Sequence, residues 1–234
     1  MLLDAIVLAG GKSSRLFGVP KARLEWRGST LLQNTVDAVL KAGTRRVVVV
    51  GPDAPVSDAR VLMAREDPPF GGPAAAVAAG MHALEHFDDP RGDQVLVFAC
   101  DMPRVADAVS RLVGAGHLLG GGDGVDGVDG VDGVDGVDGA VVVDAAGMRQ
   151  PLAAMYTRSA LAGAVDAARA SSTLDGASMR ALISSLDLIE LPDEIESTRD
   201  VDTWNDAAAF GIERPDDALP TSETPPHLAT RSRS

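Results

Sequence analysis

Three short segments hold the residue types that phosphate and metal chemistry requires. The first is Leu8-Ala9-Gly10-Gly11-Lys12-Ser13-Ser14-Arg15, which continues to Lys21. An apolar run ending in two glycines and a basic, hydroxyl-rich turn offers backbone N–H groups and close backbone approach, as a phosphate needs. It is not a P-loop, because the position five residues before Gly11 is Ile6 where that motif needs glycine. Nor is it the dinucleotide fingerprint, whose glycines are not adjacent. The second segment is Asp101-Met102-Pro103, after the most hydrophobic run of the chain. A carboxylate at the carboxyl end of a strand, facing a phosphate loop on a neighbouring strand, can hold Mg²⁺. The third is Asp200-Val201-Asp202-Thr203, where alternation puts both acids on one face of an extended stretch. Each segment also has a plain structural reading: a glycine turn with solvated charges, a cap before Pro103, and a cap for the last helix.

The surrounding pattern decides how such segments could meet. Short β-branched runs alternate with Ala/Leu-rich helical spacing, which predicts a single Rossmann-like, doubly wound α/β domain with a mostly parallel sheet and helices on both faces. Strands are expected at 4–8, 47–50, 60–63, 94–99, 140–143, 149–156 and 186–191. Pro151 marks the strand at 149–156 as an edge or a bulge. Thr30 and Gln33 have the spacing of a capping box ahead of a helix with apolar face Leu32, Val36, Val39 and Leu40, stopped by Gly43. Further helices are expected at 74–86, 105–115, 157–170 and 178–184, with Thr203 and Asp206 capping a last one through Phe210.

Composition narrows the function classes. Aromatics make up 3% of the chain, too few for a protein that stacks single-stranded bases. Net charge is −13, six units of which come from Asp123, Asp126, Asp129, Asp132, Asp135 and Asp138. The −7 left without them still disfavours a nucleic-acid or anionic-membrane surface. Cys100 is the sole cysteine, which excludes an internal disulfide and a Cys-based zinc site. The acid within the apolar N-terminal run, the missing basic region before it and the lack of a membrane-length apolar stretch point to a cytoplasmic domain.

The folded domain is expected over residues 1–213, interrupted by a low-complexity loop at 120–139, with a disordered Pro/Ser/Thr-rich tail over 214–234. The Gly-Val-Asp run from Asp123 to Gly139 lacks the proline of collagen, the nine-residue period of a calcium β-roll and the closing Glu of an EF-hand. Glycine at every third position beside a carboxylate opposes order through entropy and repulsion, so an expanded surface loop is expected.

In combination these segments resemble the MobA-like nucleotidyltransferases, most closely the molybdenum cofactor guanylyltransferases, over about residues 4–211. The matching features are Leu8-Ala9-Gly10-Gly11 with Arg15 and Lys21, Asp67 before Gly72-Pro73, Asp101-Met102-Pro103, Gln150-Pro151, and Asp200 to Thr203. The resemblance implies a nucleotide-diphospho-sugar transferase-like fold and transfer of GMP from GTP to molybdopterin with release of pyrophosphate; the alternatives are cytidylyl or other nucleotidyl transfer to molybdopterin or a small phosphorylated metabolite, and a degenerate member that binds nucleotide without turnover. It implies that Leu8, Ala9, Gly10 and Gly11 bind nucleotide, Lys21 its phosphates, and Asp67 its base or ribose. Asp101 would bind nucleotide and Mg²⁺, Asp202 would join the metal site, and Arg15, Lys21 and Asp101 would be catalytic. It also implies transient contact with other molybdenum cofactor biosynthesis proteins.

The family's acceptor, a phosphate monoester, is anionic at neutral pH and needs no general base. The burden falls on positioning and on positive charge from Lys12, Arg15, Lys21 and Mg²⁺. None of His82, His86, His117 or His227 lies in a motif. Phe17 stands where the family often has Gly, Pro20 where Asp usually precedes the lysine, and Gly51 where Asn is common. Asp200 and Asp202 are more usual in cytidylyl relatives, whereas Gly10-Gly11 is the guanylyl form, so the base stays open between guanine and cytosine.

Overall fold

The computed structural model describes residues 2–11, 14–52, 56–87, 92–119 and 137–214. Lys12, most of the Gly-Val-Asp run, and the tail beyond Arg214 with His227 lie outside the described residues. In chain order the elements are β1 (Leu3–Leu8), β2 (Glu25–Trp26), β3 (Ser29–Thr30), α1 (Leu31–Lys41), β4 (Val47–Val50), β5 (Val61–Ala64), α2 (Gly72–Leu84), β6 (Gln94–Ala99), α3 (Val105–Ala115), β7 (Gly139–Val143), β8 (Arg149–Thr157), α4 (Arg158–Ala170), α5 (Met179–Leu182), β9 (Leu188–Pro192) and α6 (Trp204–Ala209).

Seven strands form one sheet in the order β5-β4-β1-β6-β8-β7-β9, while β2 and β3 make a separate two-stranded ribbon. The pairs β1–β4, β1–β6, β4–β5 and β7–β9 are parallel. β8 runs antiparallel to β6 and to β7. Chain order reverses direction across the sheet between β1 and β6, a switch point of the kind where crevices open at the carboxyl ends of strands.

Strand alternation divides the core between two faces. Ala5 and Val7 of β1 join Leu32, Val36 and Val39 of α1 and Val105, Val109 and Leu112 of α3. Ile6 and Leu8 join Val77, Met81 and Leu84 of α2, Leu161 and Val165 of α4, and Met179 and Leu182 of α5. α2 lies close on β1 because Gly80 has no side chain: a Cβ there would sit 2.7 Å from Ile6 Cγ2. At the amino end of the sheet, buried Asp4 takes hydrogen bonds from Arg45, Arg158 and the Gly92 N–H, a structural network remote from the strands' carboxyl ends.

Several expectations need correction. Only half of the capping box at α1 forms: Thr30 Oγ1 accepts from Gln33 N, but the Gln33 amide turns instead to Asp37. The full box forms at α6, where Thr203 and Asp206 satisfy each other's backbone N–H. α2 begins at Gly72 rather than Ala74, and the last sheet strand runs Leu188–Pro192 rather than from Leu186. β8 is internal, so Pro151 is not at an edge. It lies at a bulge, where the β7 register jumps from Val141↔Ala154 to Val142↔Gln150.

Both described flanks of the Gly-Val-Asp run are held at the amino end of the sheet. Gln94 Nε2, at the start of β6, donates to Gly116 O and Leu119 O, and Gly139 pairs with Tyr156 at the end of β8. Asp138 is part of this anchor, since its carbonyl accepts from Thr157 N and its carboxylate from Asp187 N. Deleting Gly124–Asp135 while keeping Val137 and Asp138 should therefore leave the melting temperature and turnover nearly unchanged. The deletion leaves five of the 17 residues between Leu119 and Val137, and at about 0.6 kcal/mol per halving of a connection's length the closure cost changes by only about 1 kcal/mol. Thermal unfolding and steady-state assays of the deletion variant check this, and a large loss of turnover would overturn it. No helix among the described residues is long and apolar enough to cross a membrane.

Candidate active site

The carboxyl ends of β1, β4, β5 and β6 converge on one cleft of about 460 Å³. Its walls come from Leu8 to Gly11 after β1, Val50 and Pro52 around the end of β4, Glu66 after β5, and Cys100-Asp101 after β6. Pro20 and Lys21 close one side, and Phe70 with Gly72-Pro73 at the head of α2 closes another. Gly51 allows the floor to be this compact, because a Cβ there would lie 2.8 Å from the Ala9 carbonyl carbon. The glycine turn and the Asp101 segment thus share one crevice, as the sequence predicts.

Lys21 ties that crevice together. Its Nζ lies 2.7 Å from Asp101 Oδ2 and 2.5 Å from Asp202 Oδ1. Burial works against its charge, yet Asp101 and Asp202 outweigh burial and raise its pKa to about 12. Lys21 is therefore an ammonium at any physiological pH. Arg15 Nη1 reaches Asp202 Oδ2 at 3.2 Å, but its side chain is 73% exposed and does not line the cleft. As an exposed pair it adds little to stability. Asp101 does not cap α3, whose N-cap is Arg104 with no side-chain hydrogen bond.

Asp200 and Asp202 reach the same corner as the alternation predicts. The Val201 N–H donates to the Asp101 carbonyl at 2.9 Å, which fixes the register of one acidic segment against the other. The Val201 side chain, fully buried, points the opposite way into a small separate core with Leu16, Leu24, Leu31, Ala207 and Ile212. Leu16 adjoins Arg15, and Leu24 belongs to the short turn carrying Lys21, so one apolar cluster sets both the cations and the acids. Upstream, buried Asp193 staples the approach by accepting from Ser197 Oγ, Thr198 N and Thr198 Oγ1.

Asp101, Asp200 and Asp202 each bring one carboxylate oxygen within 4.8 Å of the others. Asp200 is exposed, but partial desolvation among its neighbours first, and then the charges of Asp101 and Asp202, push its carboxyl above the usual range. Crowded hard oxygen donors with repulsion left over after Lys21 is counted are a donor set suited to Mg²⁺. Cys100 also lines the cleft, but burial and then the Asp101 charge drive its thiol far up, so it stays neutral and unreactive. His82, His86 and His117 are exposed and line no part of the cleft.

Leu8, Ala9, Gly10, Gly11, Lys21 and Asp101 are brought together, whereas Asp67 is exposed and is not among the lining residues. Its neighbour Glu66 lines the cleft in its place, along with Arg65 and Phe70. Sequence reasoning missed these three. The signal was available in principle, because residues just past β5 must emerge beside those past β1 and β4.

The match to known proteins agrees with this geometry. Residues 5–189 match the family described as the MobA-like NTP transferase domain. A probable molybdenum cofactor guanylyltransferase of Bacillus cereus is 35% identical over 106 residues, which cover 43% of this chain and 50% of the relative. The chain thus spans about half the length of that curated relative. Among solved structures, Rv0371c from Mycobacterium tuberculosis superposes with a TM-score of 0.63 at 21% identity, covering 90% of this chain and 98% of that one. The 2-C-methyl-D-erythritol 4-phosphate cytidylyltransferase of Francisella tularensis gives 0.63 at 14% identity, covering 89% and 98%. At these identities the two structures establish a shared fold and nothing finer. Glycine turn, central-strand aspartate and family match all fall on the same stretch of sequence, and the chain belongs to the MobA-like NTP transferase domain family.

Proposed function

We propose that this protein is a Mg²⁺-dependent nucleotidyltransferase that moves GMP from GTP to molybdopterin and releases pyrophosphate. The observation that carries the reading is the Lys21 ammonium, held between Asp101 and Asp202 at the rim of the Gly10-Gly11 turn. A fixed cation beside a glycine turn and a carboxylate trio is what α-phosphate displacement requires, and a titrating base is not.

In this reading the peptide groups of Leu8 to Gly11 bind the triphosphate and Lys21 neutralises charge at the α-phosphate. The acceptor's terminal phosphate oxygen forms a bond to the α-phosphorus as the α–β bridging P–O bond breaks, and the electron pair leaves with pyrophosphate. Asp101, Asp202 and Asp200 would hold Mg²⁺, which when bound supplies charge neutralisation at the phosphates. Arg15 orients Asp202 from the solvent side. The cleft's apolar walls, Leu8, Val50, Ala76 and Leu152 among them, limit water around the reacting groups. The proposed setting is the cytoplasm, with GTP and molybdopterin as the two small-molecule partners.

Measuring pyrophosphate release with GTP, CTP, ATP and UTP, each with and without molybdopterin, tests the proposal. Release with GTP that depends on molybdopterin is expected. A marked preference for CTP would move the assignment to cytidylyl transfer, and no release with any NTP would remove the enzymatic reading.

A further inference from the structure

The turn that carries Lys21 meets the stretch that carries Asp202 along a seam. The ion pairs Lys21–Asp202 and Arg15–Asp202 cross it. A further contact crosses it without using an acid. The guanidinium carbon of Arg214 lies over two rings, 5.1 Å from the Phe17 centroid and 4.8 Å from that of Trp204. Phe17 stands four residues before Lys21 and Trp204 two after Asp202, so one guanidinium joins the two segments.

Phe17 is costly where it stands. Its φ is 54°, with Gly18 following at 84°, and its ring is 66% exposed. A bulky residue at positive φ is strained, and a ring left in solvent recovers little of that cost through burial. The Arg214 contact is what the ring gains there. Arg214 is kept within reach by its own neighbours. The N–H of buried Ile212 donates to Ala207 O at 2.9 Å, and Phe210 O accepts from Trp26 Nε1 at 3.1 Å. Across the seam, Val19 N donates to Leu16 O at 3.1 Å and Leu24 N to Lys21 O at 3.0 Å, closing the turn on both sides of Pro20.

We propose that Arg214 is a positioning residue, which clasps the Lys21 turn to the Asp202 segment while nucleotide is bound. This rests on the nucleotidyl-transfer reading and explains how that reading's central cation keeps its place. When phosphate draws on the Lys21 ammonium, the Lys21–Asp202 pair that ties the seam weakens. The Arg15–Asp202 pair is exposed and holds little. The Arg214 contacts involve neither Lys21 nor a carboxylate, so substrate does not compete for them. They hold the turn in register as charge develops at the phosphate. A guanidinium suits this task because it is planar, always charged and weakly hydrated, and stacks on aromatic faces as an ammonium does not. The competing account gives Arg214 only a share in stability, as a surface cover for two rings.

Amide exchange and single-turnover rates on the full chain separate these accounts. Exposed contacts of this type are each worth about two- to fivefold in an equilibrium, so the pair should be worth roughly five- to thirtyfold. With the preferred NTP bound, Arg214→Ala should speed exchange at the Val19 and Leu24 amides by about that factor and leave the β1 amides unchanged. Pyrophosphate release should slow by a similar factor. Because Arg214 acts through Lys21, the same substitution in a Lys21→Ala background should add no further loss. Phe17→Tyr keeps a ring face and should lie closer to wild type than Phe17→Asn, which tolerates positive φ but has no ring. Unchanged exchange, an unchanged rate, or an equal loss with and without Lys21 overturns the proposal while leaving nucleotidyl transfer intact. If the wild-type protein releases no pyrophosphate from any NTP, the nucleotidyl-transfer reading fails first and takes this one with it.

Discussion

Lys21→Ala should lower the maximal rate of pyrophosphate release by about 10²- to 10³-fold, the usual consequence of removing one preorganised positive donor from a charge-developing transition state. The reason lies in the wild-type geometry. The ammonium is already held by Asp101 and Asp202 at the rim of the cleft, so it needs little reorganisation when phosphate charge arrives. Asp101→Ala should be comparably damaging, because it removes a partner of Lys21 and one member of the carboxylate trio together. The two effects should not add, since both variants dismantle the same constellation. Single-turnover rates at saturating NTP, with circular dichroism confirming the fold, provide the check. Wild-type turnover in both variants would mean that the reacting corner lies elsewhere.

Gly51→Ala is expected to do two kinds of harm from one methyl group. The added Cβ would lie 2.8 Å from the Ala9 carbonyl carbon and 3.0 Å from Gly10 N, and both are backbone atoms that cannot rotate away. Overpacking of this kind costs about 1–3 kcal/mol, so the denaturation midpoint should fall. The only relief is to displace the Ala9-Gly10 turn, which the proposed function uses to hold the triphosphate. A displacement near 1 Å at such a site lowers rate by roughly 10²-fold. Nucleotide affinity and denaturant titration, measured on one preparation, read both consequences. A variant with wild-type values of both would show that the β4 and β1 ends can separate freely.

The general architecture was legible because burial on both sides leaves continuous β-branched runs such as Val47–Val50, and these have no competing helical period. The convergence of acids was legible for a different reason. With Val201 apolar between two aspartates, burying the valine forces Asp200 and Asp202 to the other side of an extended chain. Thr203 and Asp206 formed the box their spacing predicts, but Thr30 and Gln33 did not, since Asp37 one turn on competes for the glutamine amide. The placement of Glu66 in the cleft, with Asp67 exposed, was not legible. After β5 ends at Ala64 the chain turns irregularly, so adjacent acids lose any fixed alternation. The antiparallel insertion of β8 was equally hidden, because pairing partners far apart in sequence leave no local trace.

The small apolar cluster formed by Leu16, Leu24, Leu31, Val201, Ala207 and Ile212 is separate from the two layers that flank the sheet. Domains open in cooperative pieces, and the piece with the least buried surface opens first. Residues near 14–31 and 200–212 therefore share a fate: when either frays, its counterpart loses its support. Amides in both stretches would exchange with solvent together and ahead of those in β1 and β6, so warming would disable the protein while most of its backbone was still folded.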